Sequence, residues 1–261
     1  MHALANRVAQ FMVEDDPSGA ILPRIEAAFA HHAQPAGAWF RFHAAGLSVS
    51  DHAFNVFARR FRTGTFAEFT YTEPATAGGS GRSFVFVGSS GRGDPPLGLD
   101  VPVVTPVATF RDRHAVVIHA ERDPGADTDV TPSPDREHRP GNPHARDFDA
   151  EMGIAETVDR FIRRCDIAAG GRLTGFVSQP MCVSCRAALQ RLADNHRLEV
   201  FVTALAPGSA AYRQFDRARR DYMFAVREHV DRPRGLNRSG TTRHTVERGR
   251  PPAVPSPESC E

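Results

Sequence analysis

Lysine is absent from this chain, and all 32 of its basic residues are arginine. Against 31 acidic residues the formal net charge is +1, which excludes a protein whose whole surface seeks polyanions, although local clusters keep that capacity. A GC-rich coding bias accounts for most of the arginine preference; a protein working inside a ubiquitinating host would also benefit from offering no acceptor lysine. Cysteine is nearly as scarce. Cys165, Cys182, Cys185 and Cys260 are too few and too irregularly spaced for a disulfide framework, and they suit a reducing, cytosolic working environment. Long apolar runs are missing too. Nothing approaches the ~20 residues of a membrane-spanning helix, so no membrane partner is expected. The first residues turn acidic at Glu14-Asp15-Asp16 without an uninterrupted apolar segment, so no standard signal peptide is expected and export would need a signal-independent route.

What is present is enough for a real core. With 261 residues, 41% of them hydrophobic, the chain can form one large domain or two small ones. Leu4, Val8, Phe11 and Met12 recur at helical spacing, as do Ile21, Ile25, Phe29 and His32 after a Ser18 cap and an early Pro23, which predicts two short amphipathic helices. Trp39, Phe40 and Phe42 read as a short strand. Asp51 caps a helix whose Phe54, Phe57 and Phe61 share a face. Alternation from Ala67 to Tyr71 and again over residues 83–87 predicts a hairpin. The Gly-rich stretch from Gly88 to Asp94 lacks the Lys-Ser or Lys-Thr ending of a phosphate-binding loop and runs into Pro95-Pro96, so it reads as a linker.

The second half is more regular. Residues 101–110 and 114–120 read as an antiparallel hairpin, followed by a long loop over residues 122–147 rich in Pro, Gly, Asp and His. Helices are then expected over 150–164, 182–196 and 212–230, with strands over 172–178 and 198–205 between them. This order predicts an α/β sheet layered with helices. Past Val230 the chain loses periodicity and reads as a disordered, Arg- and Pro-rich tail over 231–261.

Two clusters carry chemistry. Ile154, Val158, Phe161 and Cys165 fall on one helix face, and Glu151 lies close to that inward stripe; a buried carboxylate must be paired, metal-linked or protonated. Asp149, two residues earlier, suits a helix N-cap, and acidic residues in a first turn complement the helix dipole. Cys182 and Cys185 open the next helix, where Cys185 is in phase with Leu189 and Leu192. A helix N-terminus favours thiolate, and two thiolates across such a junction can grip one tetrahedral zinc. A thioredoxin-like redox pair and two inert core cysteines are the other uses of a Cys-x-x-Cys. His144 is an alternative ligand from the polar loop. His196 ends the cysteine helix, too far along it to join the same metal, and suits the helix dipole there.

Taken together, Asp149-Ala150-Glu151 at one helix start and Met181-Cys182-Val183-Ser184-Cys185 at the next resemble the cytidine-deaminase-like superfamily. The likeness is closest to the deaminase domains of bacterial polymorphic toxins and effectors, and it covers roughly residues 102–230. It implies a three-layer α-β-α sheet with residues 96–230 as the zinc domain, preceded by a small α+β region of residues 1–95. It implies Zn2+ on Asp149, Cys182 and Cys185, Glu151 as proton shuttle, and hydrolytic deamination of cytosine or adenine, a C–N bond hydrolysis of a cyclic amidine. It further implies a nucleic-acid or nucleotide substrate, an immunity protein or secretion chaperone as partner, and residence in the bacterial cytoplasm before delivery. The sequence departs from the family pattern twice. Aspartate replaces the usual His or Cys, and Met181 separates Pro180 from Cys182. Arg213, Arg217, Arg219, Arg220 and Arg227 on the last helix, with tail arginines from Arg232 to Arg250, are candidate phosphate contacts, or an ordinary solvated helix face. A CxxC oxidoreductase, and a catalytically inactive adaptor using residues 1–95 for binding, are the competing classes.

Overall fold

The computed structural model of the protein describes residues 7–45, 50–75, 81–91, 115–120, 128–131 and 149–231. Alternation at Phe66–Thr72 and Ser83–Ser89 produces the predicted hairpin, whose strands pair antiparallel from Phe66↔Ser89 to Thr72↔Ser83. Six strands are described: β1 (Val8–Val13), β2 (Phe66–Thr72), β3 (Ser83–Ser89), β4 (Ala115–His119), β5 (Arg172–Val177) and β6 (Glu199–Leu205). They form one mixed sheet in the order β1-β6-β5-β2-β3-β4. Only β2 runs against its neighbours; the β1–β6, β5–β6 and β3–β4 pairs are parallel. Residues 1–95, set apart in the sequence as a separate α+β region, contribute β1, β2 and β3 to this sheet.

Five helices cover it: α1 (Leu22–Ala45), α2 (Asp51–Thr63), α3 (Ala150–Arg163), α4 (Val183–His196) and α5 (Ala210–Asp231). Period-two alternation sends Ala67, Phe69, Tyr71 and Phe86 into a core with α3 and α4. Phe66, Val85, Val87 and Val117 point the other way, into a core with α1, α2 and α5. The chain is therefore an α/β protein with helices on both faces of the sheet. Among the described residues no helix is long and apolar enough to cross a membrane.

Two sequence expectations fail for identifiable reasons. Val8 to Met12 form a strand, not a helix. A run this short fits either period, and pairing with β6 from Val8↔Val200 to Val13↔Leu205 decides it. Trp39, Phe40 and Phe42 belong to α1, because Phe40 continues the buried stripe of Ile25, Ala28, Phe29 and Ala33 at helical spacing. Cys165 also misses the face assigned to it. It lies beyond the end of α3, exposed, with a left-handed φ of 59°. β4 joins β3 in parallel; its expected hairpin partner, residues 101–110, lies outside the described residues, as do residues 232–261 of the tail.

The centre of the sheet tolerates little change. A Cβ at Gly175 would stand 2.4 Å from the Phe69 ring of the neighbouring strand. Gly175→Ala should therefore destabilise the fold by about 1–3 kcal/mol through overpacking. Chemical denaturation would register this as a lower midpoint with an unchanged slope.

Candidate metal centre

The turn from β5 into α4 is fixed by the start of β2. Ser178 is fully buried, its backbone N–H donates to the Phe66 carbonyl at 2.9 Å, and its Oγ accepts from the Phe66 N–H at 2.9 Å. Gln179 accepts from Thr65 Oγ1 at 3.3 Å. Met181, the extra residue between Pro180 and Cys182, is buried against the core beneath α3 and α4. This anchors Cys182 as the N-cap of α4, where its Sγ accepts from the Cys185 N–H at 3.2 Å. Cys185 is 1% exposed, facing inward with Leu189 and Leu192 as its phase predicted.

The first turn of α3 rests on the end of β3. A Cβ on Gly88 would lie 2.7 Å from the Ala150 carbonyl, so the absence of a side chain there permits the approach. Asp149 occupies the N-cap position, yet its side chain makes no cap hydrogen bond. The carboxylate turns to α4 instead. Asp149 Oδ2 accepts from Cys185 Sγ at 3.3 Å and lies 3.6 Å from Cys182 Sγ, and the two sulfurs are 3.2 Å apart. One ligand atom from each of these residues lies within 4.8 Å of the others, the sole such trio among the described residues. It could hold a metal ion.

Negative charge converges here. The Cys185 thiol is pushed strongly up by its hydrogen bond with Cys182, by burial, and by the carboxylates of Glu151 and Asp149. A bound cation reverses the sign of that environment and favours thiolate. Glu151 sits in the first turn of α3 and is 3% exposed, as its inward phase suggested.

Other sequence candidates land elsewhere. His144 lies outside the described residues. His196 does not approach the cysteines; its Nε2 is 2.6 Å from Oδ1 of Asp159 on α3, a partner the helix-dipole argument did not supply. Arg219 is buried and bonded to Asp216 and the Gly64 carbonyl, Arg220 pairs with Asp216, and Arg227 pairs with Asp51 and Asp231. Those three work within the fold. The sequence reading missed the roles of Ser178 and Gly88, whose signals were a hydroxyl one residue after a strand and a glycine one residue before the end of another. No family model matches the chain, and no curated protein or solved structure is found similar to it.

Asparagine caps helices about as well as aspartate. Asp149→Asn should thus leave metal-free stability within about 0.5 kcal/mol, while lowering metal affinity at least about tenfold. Chelator competition and denaturation in EDTA check both: unchanged stability with undiminished metal binding would mean that Asp149 is not a metal ligand.

Proposed function

We propose that this protein is a zinc-dependent hydrolytic nucleobase deaminase of the toxin or effector type, acting on a cytosine or adenine base, in nucleic acid by preference. The observation that carries the reading is the Asp149 carboxylate, which forgoes its capping role to meet both thiols two residues before a buried glutamate. Two sulfurs and one oxygen are a chemically suitable donor set for zinc, and three protein ligands leave a fourth position for water or substrate. Asp149 Oδ2 lies 3.3 and 3.6 Å from the two sulfurs, which are 3.2 Å apart, so one cation could meet all three donor atoms.

A zinc ion held by Asp149, Cys182 and Cys185 would supply the chemistry that acidifies the attacking water. Glu151 accepts the proton that water gives up and holds it on a carboxyl oxygen. It gives that proton to the ring nitrogen, then takes the second proton from the added hydroxyl and passes it to the departing amine, so water and an aminated base become an oxo base and ammonia. Glu151 is 3% exposed, so a proton on its carboxyl oxygen is shielded from exchange with bulk water. The S···S separation also favours a second reading, a CxxC dithiol oxidoreductase. That chemistry leaves Glu151 without a role.

Purified protein should carry one zinc per chain, lost in Cys182→Ser and retained in Glu151→Ala. Wild type incubated with single- and double-stranded DNA, RNA and free nucleosides should release ammonia with uracil or inosine from at least one of them. Glu151→Ala should lower that rate by about 10²–10⁴. Zinc without turnover on any substrate would end the enzymatic reading, and a titratable Cys182–Cys185 disulfide in metal-free protein would favour the redox one.

A further inference from the structure

Three histidines meet on the opposite face of the sheet from the cysteines. His31 and His32 are consecutive on α1, and His119 ends β4 opposite Val87 of β3. The His31 and His119 rings stack with centroids 4.6 Å apart and planes 12° from parallel, while His32 meets His119 edge-on at 4.6 Å. These nitrogens do not form a trio as close as that of Asp149 and the cysteines, which argues against a metal site.

We propose that this cluster is an acid-sensitive latch: as neutral rings the three histidines hold edge strand β4 to α1, and once protonated they repel one another and Arg60 and release β4 from the sheet. The joint is the Val87 carbonyl, which accepts from the Ala120 N–H at 2.8 Å and from the His32 ring. With one ring nitrogen committed to that carbonyl, His32 must take a second proton at Nε2, which is buried and has no hydrogen-bond partner. The charged groups acting on His32 are His119, His31 and Arg60, all basic; on His119 the one that acts is His31. The flanking β2 residue is the apolar Phe66. Burial and these neighbours hold His32 well below the ordinary histidine range and lower His119 to about 4. A released strand keeps ordinary histidines near 6.5 and binds more protons, so the closed form is favoured above that pH and loses its advantage as pH falls toward about 4. β4 is the strand positioned to yield, since among the described residues it lies at the sheet edge and β3 is its one strand partner.

Hydrogen exchange on the full chain, corrected for the intrinsic effect of pH, tests this at pH 7.5 and 5.0. Amides of residues 115–119 should lose protection by at least about tenfold at pH 5.0 while α3 and α4 keep theirs. His119→Gln, which cannot charge, should abolish that pH response. If that variant fails to fold, Arg60→Gln should move the midpoint of β4 opening to lower pH by removing one repulsive charge. Unchanged protection of β4 at pH 5.0, its loss together with α3 and α4, or a midpoint insensitive to both substitutions would overturn the latch.

Discussion

The candidate centre depends on one constraint, that α3 and α4 start side by side at the same end of the sheet. Asp149 and the two cysteines are more than thirty residues apart in sequence, and only this alignment brings their side chains within hydrogen-bonding reach. Backbone features enforce it from both sides. The bare Cα of Gly88 lets the Ala150 carbonyl close on β3, and Ser178 pins the β5–α4 turn to Phe66. Two helix N-termini then present their positive ends to a carboxylate and two thiols, the placement that most favours anionic groups there.

The far ends of the same helices are tied as well. His196 closes α4 against Asp159 of α3, and Thr128 Oγ1 donates to the other oxygen of that carboxylate at 2.8 Å. Arg163 reaches the same oxygen at 3.0 Å from within α3. A buried acid with three partners ties the two helices together, so the ends that carry Asp149, Cys182 and Cys185 cannot drift apart independently. Sequence reasoning treated His196 as a dipole partner because nothing local announces a contact 37 residues away.

How much was legible follows from the same distinction. Helix and strand bounds from residue 150 to 231 were readable within one or two residues, since each element is long, strongly periodic and flanked by clear breaks. The phase of Glu151 and Cys185 was readable for that reason. Val8–Val13 was not, because a short apolar run acquires its identity from β6, and neither was the extent of α1, where three aromatics within four residues mimic a strand. The decision between cap and ligand at Asp149 was beyond the sequence. Both uses demand the same residue at the same place, and only the direction of the side chain tells them apart.

That direction also bears on how the fold tolerates its own chemistry. Helix α3 is enclosed along most of its length, yet it carries Glu151, Glu156 and Asp159 in buried positions. A helix selected for packing alone would put apolar residues there, since a carboxylate removed from water costs several kcal/mol unless charge or hydrogen bonds offset it. Asp159 has its histidine and arginine. Glu151 lies near the Cys185 thiol, which its charge makes harder to ionise. A cation bound by Asp149, Cys182 and Cys185 would reverse that effect and favour the thiolate, so the same buried carboxylates that disfavour ionisation of the bare thiol would sit beside a compensating positive charge.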